Sequence, residues 1–378
     1  MSDLGLTHQL RPAQSQLPVD WYHTQAQFDL EQRTIFSTAP GYIGHELMVP
    51  EAGDFHAIGW MNDALALVRN QSGVNLISNV CRHRQAIMLS GRGNLARHGG
   101  NIVCPVHRWT YDAAGQLLGA PYFGVNPRLN LHHVETGRWN GLLFRGPRDI
   151  ASDLADLSVA ADLSFAGYQL DHVRIHECDY NWKTFIEVYL EDYHVEPFHP
   201  GLGKFVTCED LTWQFHDRYS VQTVGVNSAF DRPGSDTYRV WHEQVLKYRD
   251  GQPPKHGAIW LTIYPNIMVE WYPHVLVVSH LIPRGPQKTT NVVEFYYPED
   301  IVLFEREFVA AEQAAYMETC AEDDEIALRM DGGRRALMEQ EINQAGPYQT
   351  PMEDGMQHFH EYLRREMQGA GAATRTSP

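Results

Sequence analysis

Two short pairs, Cys81-x-His83 and Cys104-x-x-His107, constrain this chain more than any other feature. Each offers one thiolate and one imidazole within a few residues, so one tight loop can present both. Two thiolates and two imidazoles suit a two-iron, two-sulfide cluster in which imidazoles replace thiolates on one iron and raise its reduction potential. The same four groups also satisfy a tetrahedral zinc ion. The spacing argues against zinc, whose fingers pair Cys with Cys and His with His. Here each pair is mixed, so each loop can give one ligand to each iron. Four unrelated residues are the remaining alternative. Gly91, Gly93, Gly99 and Gly100 are expected as turn residues around the pairs. Trp109 and Tyr111 are expected either to pack on or bond to the ligands, or to serve as core aromatics of a small β domain.

A second chemical stretch is NWKTFIEVYLEDYHVEPFHP, Asn181 to Pro200, with His194 and His199 five apart on or near a helix. Two His and one carboxylate form the facial triad of non-haem Fe(II) sites, which leaves positions open for O₂ and substrate. A His pair alone is weak evidence in a chain with 20 histidines. The one late acidic cluster in the helical region is Glu322-Asp323-Asp324-Glu325.

Both stretches resemble the motifs of the Rieske non-haem iron oxygenases. The first matches through CPVHRWTYD. It departs in a longer gap, residues 84 to 103, and in Val106, where an aromatic residue is common. A longer connection costs little, because closure entropy grows slowly with length. The second matches at NWK, Glu187, Glu191, His194 and His199, with Val188 where the family often has Asn.

The resemblance implies a [2Fe–2S] cluster on Cys81, His83, Cys104 and His107. It implies a mononuclear Fe(II) on His194, His199 and a late carboxylate, Asp323 in preference to Asp324, with the other acids of that run on a solvated helix face. Glu191 falls where the family places an acid that bridges a Rieske His and an iron-ligating His. Most members use Asp there, and Glu occurs in those resembling oxygenases of quaternary amines. A cyclic homotrimer follows from the resemblance, because the cluster of one subunit serves the iron of the next. So do electrons from NAD(P)H through a flavin or iron–sulfur reductase or a ferredoxin, O₂ as co-substrate, and hydroxylation or demethylation of a small quaternary amine or aromatic compound. The implied fold is α+β: a small all-β Rieske domain and a larger helix-grip (START-like) domain of antiparallel sheet flanked by helices.

Read in order, residues 1–40 are a polar tail and a short helical lead-in packing on the catalytic domain, with Phe28, Leu30 and Ile35 in partial helical spacing. Residues 41–150 alternate short β-like runs (HELMVP, FHAIGW, ALALVRN, GVNLISNV, NIVCPV) with turns, up to RGPRD at 145–149. Residues 151–378 form the third region. Strands are expected at 175–179, 219–226, 258–264, 266–272, 275–282 and 290–297, and helix from Pro298 to about Glu341. Residues 229–257 read as a lid or a disordered loop, and GAGAATRTSP at the end as disordered. Trp260, Tyr264, Trp271 and Tyr272 are candidate pocket aromatics, suited to a flat ring or to a cation–π cage, and strand alternation should turn half of them away.

A length of 378 residues suits two domains, and a formal net charge of −17 disfavours nucleic acid as a partner. No apolar stretch is long enough to span a bilayer, and MSDLGLTHQLRP does not read as a secretory signal. Cys178, Cys208 and Cys320 remain after the cluster pairs, an odd number without a disulfide pattern, which fits the cytoplasm. Two other functions stay open at this level. A plain Rieske electron carrier needs only about 100 residues and leaves two-thirds of the chain unexplained. A zinc-stapled ligand-binding protein needs neither iron nor O₂.

Overall fold

The computed structural model describes residues 16–228, 230 and 232–373. The polar N-terminal tail and the last five residues lie outside the described residues. The chain forms two compact units: Pro40–Asp156, and a larger unit drawn from both sides of it, up to Ala39 and from Leu157 onward. The architecture is α+β.

The smaller unit is all β. A five-stranded antiparallel sheet contains Asp54–Ala57, Leu65–Asn70 and Gly73–Ser78, flanked by Arg92–Asn94 and His133–Val134. A three-stranded sheet of Ile102–Val103, Thr110–Tyr111 and Leu117–Gly119 carries the second Cys/His pair. Ala66, Val68, Ile77, Leu95 and Ile102 pack with Cys81, Cys104, Trp109 and Tyr111 in one core. Two local expectations fail. HELMVP is not a strand, because the first strand ends at His45 and its Nδ1 accepts the Leu47 N–H (3.0 Å), closing a turn over Glu46–Met48. Gly93 is a strand residue and not a turn; a Cβ there would lie 2.9 Å from the Phe55 ring.

The larger unit is built on one seven-stranded antiparallel sheet. Its strands are β1 (Tyr168–Cys178), β2 (Val206–His216), β3 (Tyr219–Val226), β4 (Ala258–Ile263), β5 (Ile267–Tyr272), β6 (Val275–Gly285) and β7 (Lys288–Pro298), in the spatial order β1-β7-β6-β5-β4-β3-β2. Six consecutive strands form a meander, and β1 pairs onto its far edge. β2 was not foreseen, because VTCEDLTWQFH is broken by a polar Glu209-Asp210 step where the pairing register shifts. The expected lid contains a regular helix, α2 (Asp236–Lys247). Ser235 caps it by accepting the Tyr238 N–H (3.1 Å), and Tyr238, Trp241 and Val245 bury one stripe at helical spacing. The long helix α3 spans Arg306–Glu339. The last, α4, spans Asp354–Ala373, so half of the tail expected to be disordered is helical in its backbone. Among the described residues no helix is long and apolar enough to cross a membrane.

Helix α1 (Trp182–Tyr189) starts at Asn181, whose side chain accepts the Lys183 N–H (2.9 Å). Its polar side chains are buried against the lead-in segment, α3 and α4. Lys183 Nζ meets Glu31 at 2.7 Å with both side chains out of solvent, and Trp182 Nε1 donates to the same carboxylate. Glu187 receives Arg334 (2.5 Å), His360 (2.9 Å) and the Tyr22 hydroxyl. Asp331 accepts from Thr184 and from the Asn181 N–H. Burial pushes the Glu187 carboxyl up, but Arg334 and His360 outweigh it and hold the group at about 2. The network fixes α1, and α1 delivers the residues that follow it.

Candidate metal centres

In the smaller unit the two Cys/His pairs sit on loops of the same construction. Cys81 N–H donates to Ala86 O (2.9 Å) and Gln85 N–H returns to Cys81 O (3.1 Å). Cys104 N–H donates to Trp109 O (2.8 Å) and Arg108 N–H returns to Cys104 O (3.1 Å). The fifth residue of each loop is left-handed, Gln85 at φ 55° and Arg108 at φ 60°. Both cysteines are buried. Burial raises the Cys104 thiol, while the Val106 and His107 N–H groups aimed at its sulfur act against this. Main-chain donors of this kind suit a sulfur that carries negative charge. The Tyr111 hydroxyl lies 3.6 Å from Cys81 Sγ and accepts the Arg82 N–H (3.1 Å). The His83 and His107 rings are 4.6 Å apart, and Trp109 stacks on His83 at 5.0 Å. His83 Nδ1 is buried with no hydrogen-bond partner. Two inward thiols, two adjacent imidazoles and an orphaned ring nitrogen fit a [2Fe–2S] cluster with mixed ligands.

In the larger unit α1 ends at Tyr189 and the chain turns through Glu191 to His194 before a short helix, Val195–Phe198. Glu191 and His194 therefore lie on a turn and not on a helix face. Both Glu191 oxygens face residue 194: Oε1 takes the ring Nδ1–H (2.5 Å) and Oε2 the backbone N–H (3.1 Å). His199 Nδ1 likewise donates to Glu322 Oε2 at 2.7 Å. With both Nδ1 atoms protonated, both Nε2 atoms carry lone pairs. Those two atoms face one another at 3.0 Å, with Asp323 Oδ1 at 3.5 Å from His194 and 3.0 Å from His199.

Three such atoms converging in this way suit a cation between them. Bonds of about 2.1 Å at right angles would separate such ligand atoms by about 3 Å, so a two-His, one-carboxylate metal fits. Burial lowers the His194 ring, but Asp323 and Glu191 outweigh it and raise it to about 10, another sign that the site calls for positive charge.

The structure brings together His194, His199 and Asp323, and it turns Asp324 elsewhere. Asp324 accepts from Tyr180 (2.6 Å) and pairs with His176 Nε2 (2.8 Å). The expectation that the other acids of the run face solvent fails for Glu322 and Asp324 and holds only for exposed Glu325, which pairs with Arg329 along the helix. His176, Cys178 and Asp324 form a second cluster of metal-capable groups. Its imidazole offers Nε2 to Asp324 and Nδ1 to Cys178 Sγ (3.8 Å), so the two partners lie on opposite sides of the ring.

A cavity of about 90 Å³ adjoins the His194–His199–Asp323 cluster. Trp260 and Tyr272 line it, as does Val188, whereas Tyr264 and Trp271 do not. Strand alternation turns Trp271 away: Trp260 pairs across from Glu270, so Trp260, Glu270 and Tyr272 share one face of the sheet and Trp271 takes the other, while Tyr264 lies beyond the end of β4 and bonds to His358. Residues 312, 316, 320 and 323 of α3 line the opposite wall. Glu270 and Glu312 do not stand out in the sequence. Isolated acids inside a strand or helix carry no motif, and only the fold decides which of them face inward.

The family "Ring hydroxylating alpha subunit (catalytic domain)" matches residues 164–369, and "Rieske [2Fe-2S] domain" matches residues 41–130. The catalytic match covers more than half of the chain, in the part that a plain electron carrier leaves unexplained. The chain is 62% identical to a putrescine 2-hydroxylase of Ralstonia nicotianae, covering 97% of this chain and 100% of that protein. It is 57% identical to a putrescine 2-hydroxylase of Bordetella bronchiseptica, covering 97% and 88%. In fold it is similar to the quaternary ammonium Rieske monooxygenase CntA, with a TM-score of 0.73 at 18% identity over 94% of this chain and 96% of that one. The chain belongs to the Rieske non-haem iron oxygenases, as a terminal oxygenase (alpha) component that uses a [2Fe–2S] cluster and a mononuclear iron site to act with O₂ on a small organic substrate.

Proposed function

We propose that this oxygenase hydroxylates a small aliphatic diamine of the putrescine type. The observation that carries the proposal is the near-full-length identity of 62% and 57% to two proteins named putrescine 2-hydroxylase. The cavity supports it. It is small, and five carboxylates line it (Glu191, Asp192, Glu270, Glu312 and Asp323). Among the described residues no Lys or Arg does.

In this reading Cys81 and Cys104 hold one iron of the cluster, and His83 and His107 the other. His194, His199 and Asp323 hold the mononuclear iron. When bound, the cluster supplies single electrons and the mononuclear iron supplies open positions for O₂. The overall change takes one O₂, two electrons, two protons and a substrate C–H bond to a C–OH group and water. The protein's own part is orientation and exclusion. Glu191 and Glu322 hold the two imidazoles in one tautomer by accepting their Nδ1 protons. Trp260, Tyr272 and Val188 supply apolar wall to the cavity that would hold the reacting carbon.

Electrons come in this reading from NAD(P)H through a separate reductase or ferredoxin, in the cytoplasm. Glu191 couples His194 to His107 of a neighbouring subunit in a cyclic trimer. Two observations support the coupling. His107 is exposed, and Val106, Tyr122, Phe123 and Val125 of the same unit leave apolar surface uncovered. One lone pair also remains on each Glu191 oxygen after the bonds to His194.

The test is O₂ uptake by the iron-loaded protein with a surrogate reductase and a panel of putrescine, choline, carnitine and naphthalene. The expected result is uptake coupled to hydroxylated putrescine. Product from choline, carnitine or naphthalene alone would overturn the diamine assignment and leave the oxygenase class intact.

A further inference from the structure

The cavity presents carboxylates that the metal centre does not use. Glu270 on β5 is buried, and so is Glu312 on α3. Both are cavity-lining, and neither has a cationic partner among the described residues. Glu270 Oε2 accepts from the Tyr272 hydroxyl and Oε1 from the Tyr316 hydroxyl, each at 2.9 Å. Tyr272 is itself held by the Trp260 Nε1–H at 2.9 Å. Glu312 accepts from the Tyr297 hydroxyl. A buried carboxylate served only by neutral donors is costly to ionise. Burial raises Glu270 to about 7 and Glu312 to about 8, in spite of the phenols that bond to them. Two further polar atoms of cavity-lining residues are buried with no partner, Asp192 Oδ2 and Tyr189 Oη. The carboxylate of Glu270 is close enough to Tyr189 to raise that hydroxyl, after burial itself.

We infer that Glu270 is a specificity-determining residue that receives an ammonium group of the substrate, fixed by Tyr272 and Tyr316 and backed by Glu312. The inference rests on the aliphatic-amine reading above. The chemistry selects a primary ammonium, whose N–H groups can donate to the Glu270 carboxylate and to the free acceptor of Tyr189. A quaternary ammonium has no N–H to give.

Residues 312, 316 and 323 follow one another along one face of α3, and at 1.5 Å per residue Tyr316 lies about 10 Å along the axis from Asp323. An extended four-carbon diamine measures about 6 Å between its nitrogens. Glu270 and the His194–His199–Asp323 cluster line the same cavity, so an ammonium held on Glu270 keeps the remaining carbons in the space that adjoins the cluster. The unpaired Asp192 oxygen is left as an acceptor for the second ammonium.

The test compares wild type and Glu270→Gln as loaded holoenzymes. Putrescine binding is read anaerobically from tryptophan fluorescence, since Trp241 and Trp260 line the cavity. Turnover is read with putrescine and with 1,4-butanediol, which replaces both amines by hydroxyls. In Glu270→Gln the Kd and KM for putrescine should rise at least about 30-fold, the low end for removing one partner of a buried charge pair. kcat should change little, and the preference for the diamine over the diol should shrink. Wild-type Kd together with wild-type preference in Glu270→Gln would overturn the inference while leaving the diamine reading standing. Wild type that binds putrescine through Glu270 but does not hydroxylate it would overturn the diamine reading and keep the ammonium site. No binding of putrescine or 1-aminobutane by wild type would end both. If Glu270→Gln fails to load its metals, Tyr316→Phe takes its place. It should raise the putrescine KM by a smaller factor with the same loss of preference, and an unchanged preference there would count against Glu270.

Discussion

The two candidate centres hold their side chains by opposite means. In the smaller unit the four candidate ligands fall between residues 81 and 107, on two loops that close themselves with the same pair of main-chain hydrogen bonds. The tools there are backbone geometry, two left-handed residues and neutral donors aimed at sulfur. In the larger unit the three converging atoms come from residues 194, 199 and 323, on elements that only the fold brings together. The tools there are carboxylates behind each imidazole and a buried charge network under α1. A cluster of thiolates and sulfide needs a frame that stays put while its charge changes by one. A divalent ion with open positions needs ligands oriented strongly enough to keep it with half its coordination sphere free.

The largest expected effects separate the two regions outright. Cys81→Ser or Cys104→Ser should abolish the visible cluster spectrum and all turnover, while the larger unit keeps its iron-binding capacity. His194→Ala, His199→Ala and Asp323→Ala should each keep the full cluster spectrum and lose the mononuclear iron with activity. Spectra and metal content of the six proteins, wild type included, decide the matter. If Asp324→Ala strips the iron and Asp323→Ala does not, the third ligand has been misassigned by one position.

Next in size is the network beneath α1. Removing Glu187 leaves Arg334 buried without its carboxylate, and breaking a buried pair in this way costs about 3–5 kcal/mol. Glu187→Ala should lower denaturant stability by that amount and leave the cluster spectrum of the folded protein unchanged. The pH dependence has a definite sign. The folded-state pKa of Glu187 is depressed to about 2. Its contribution is therefore complete above the ordinary carboxylate range and is lost as pH falls from about 4.3 toward 2. An acid-unfolding profile of Glu187→Ala that matches wild type would show that the network does not set stability.

The same contrast explains what could be read from the residues. The smaller centre could be read because its candidate ligands are local in sequence, and the His83 and His107 rings of the two loops lie 4.6 Å apart. The strands were legible where apolar alternation is long, as in β6 and β7. β2 was not, because its pattern breaks at Glu209-Asp210. The helix inside 229–257 was hidden by the prolines and glycines around it, although Ser235 and the Tyr238–Trp241–Val245 spacing were there to be read. In the larger centre the histidine pair stood out by motif. Glu322 did not, because the direction in which one acid among four points depends on the rotation of α3. Glu270 did not either, because a buried strand acid looks like an exposed one until its face is known.

Smaller effects test whether the two carboxylates behind the imidazoles are equivalent. Glu191→Gln keeps the shape and one acceptor and removes the charge. At saturating iron it should leave both centres loaded and the cluster reducible. Cluster reoxidation in a single turnover with O₂ and substrate should nonetheless slow by about a hundredfold, the upper end for losing an outer carboxylate. A wild-type rate would reduce Glu191 to a positioning role like that of Glu322.

Glu322→Gln is the control for that conclusion and the smallest effect. His199 Nδ1 donates to Glu322 across 2.7 Å, and the carboxylate makes the opposite ring nitrogen a better donor to a metal. A neutral amide still accepts the proton but no longer adds charge, so iron affinity should fall by about tenfold. Titration with Fe(II), followed by metal content, measures this directly. Once iron is saturating, single-turnover reoxidation in Glu322→Gln should return to the wild-type rate, because nothing in its geometry leads toward a second imidazole. Slow reoxidation at full iron occupancy in both variants would mean that charge behind either histidine governs the rate. In that case the distinction drawn between Glu191 and Glu322 would not hold.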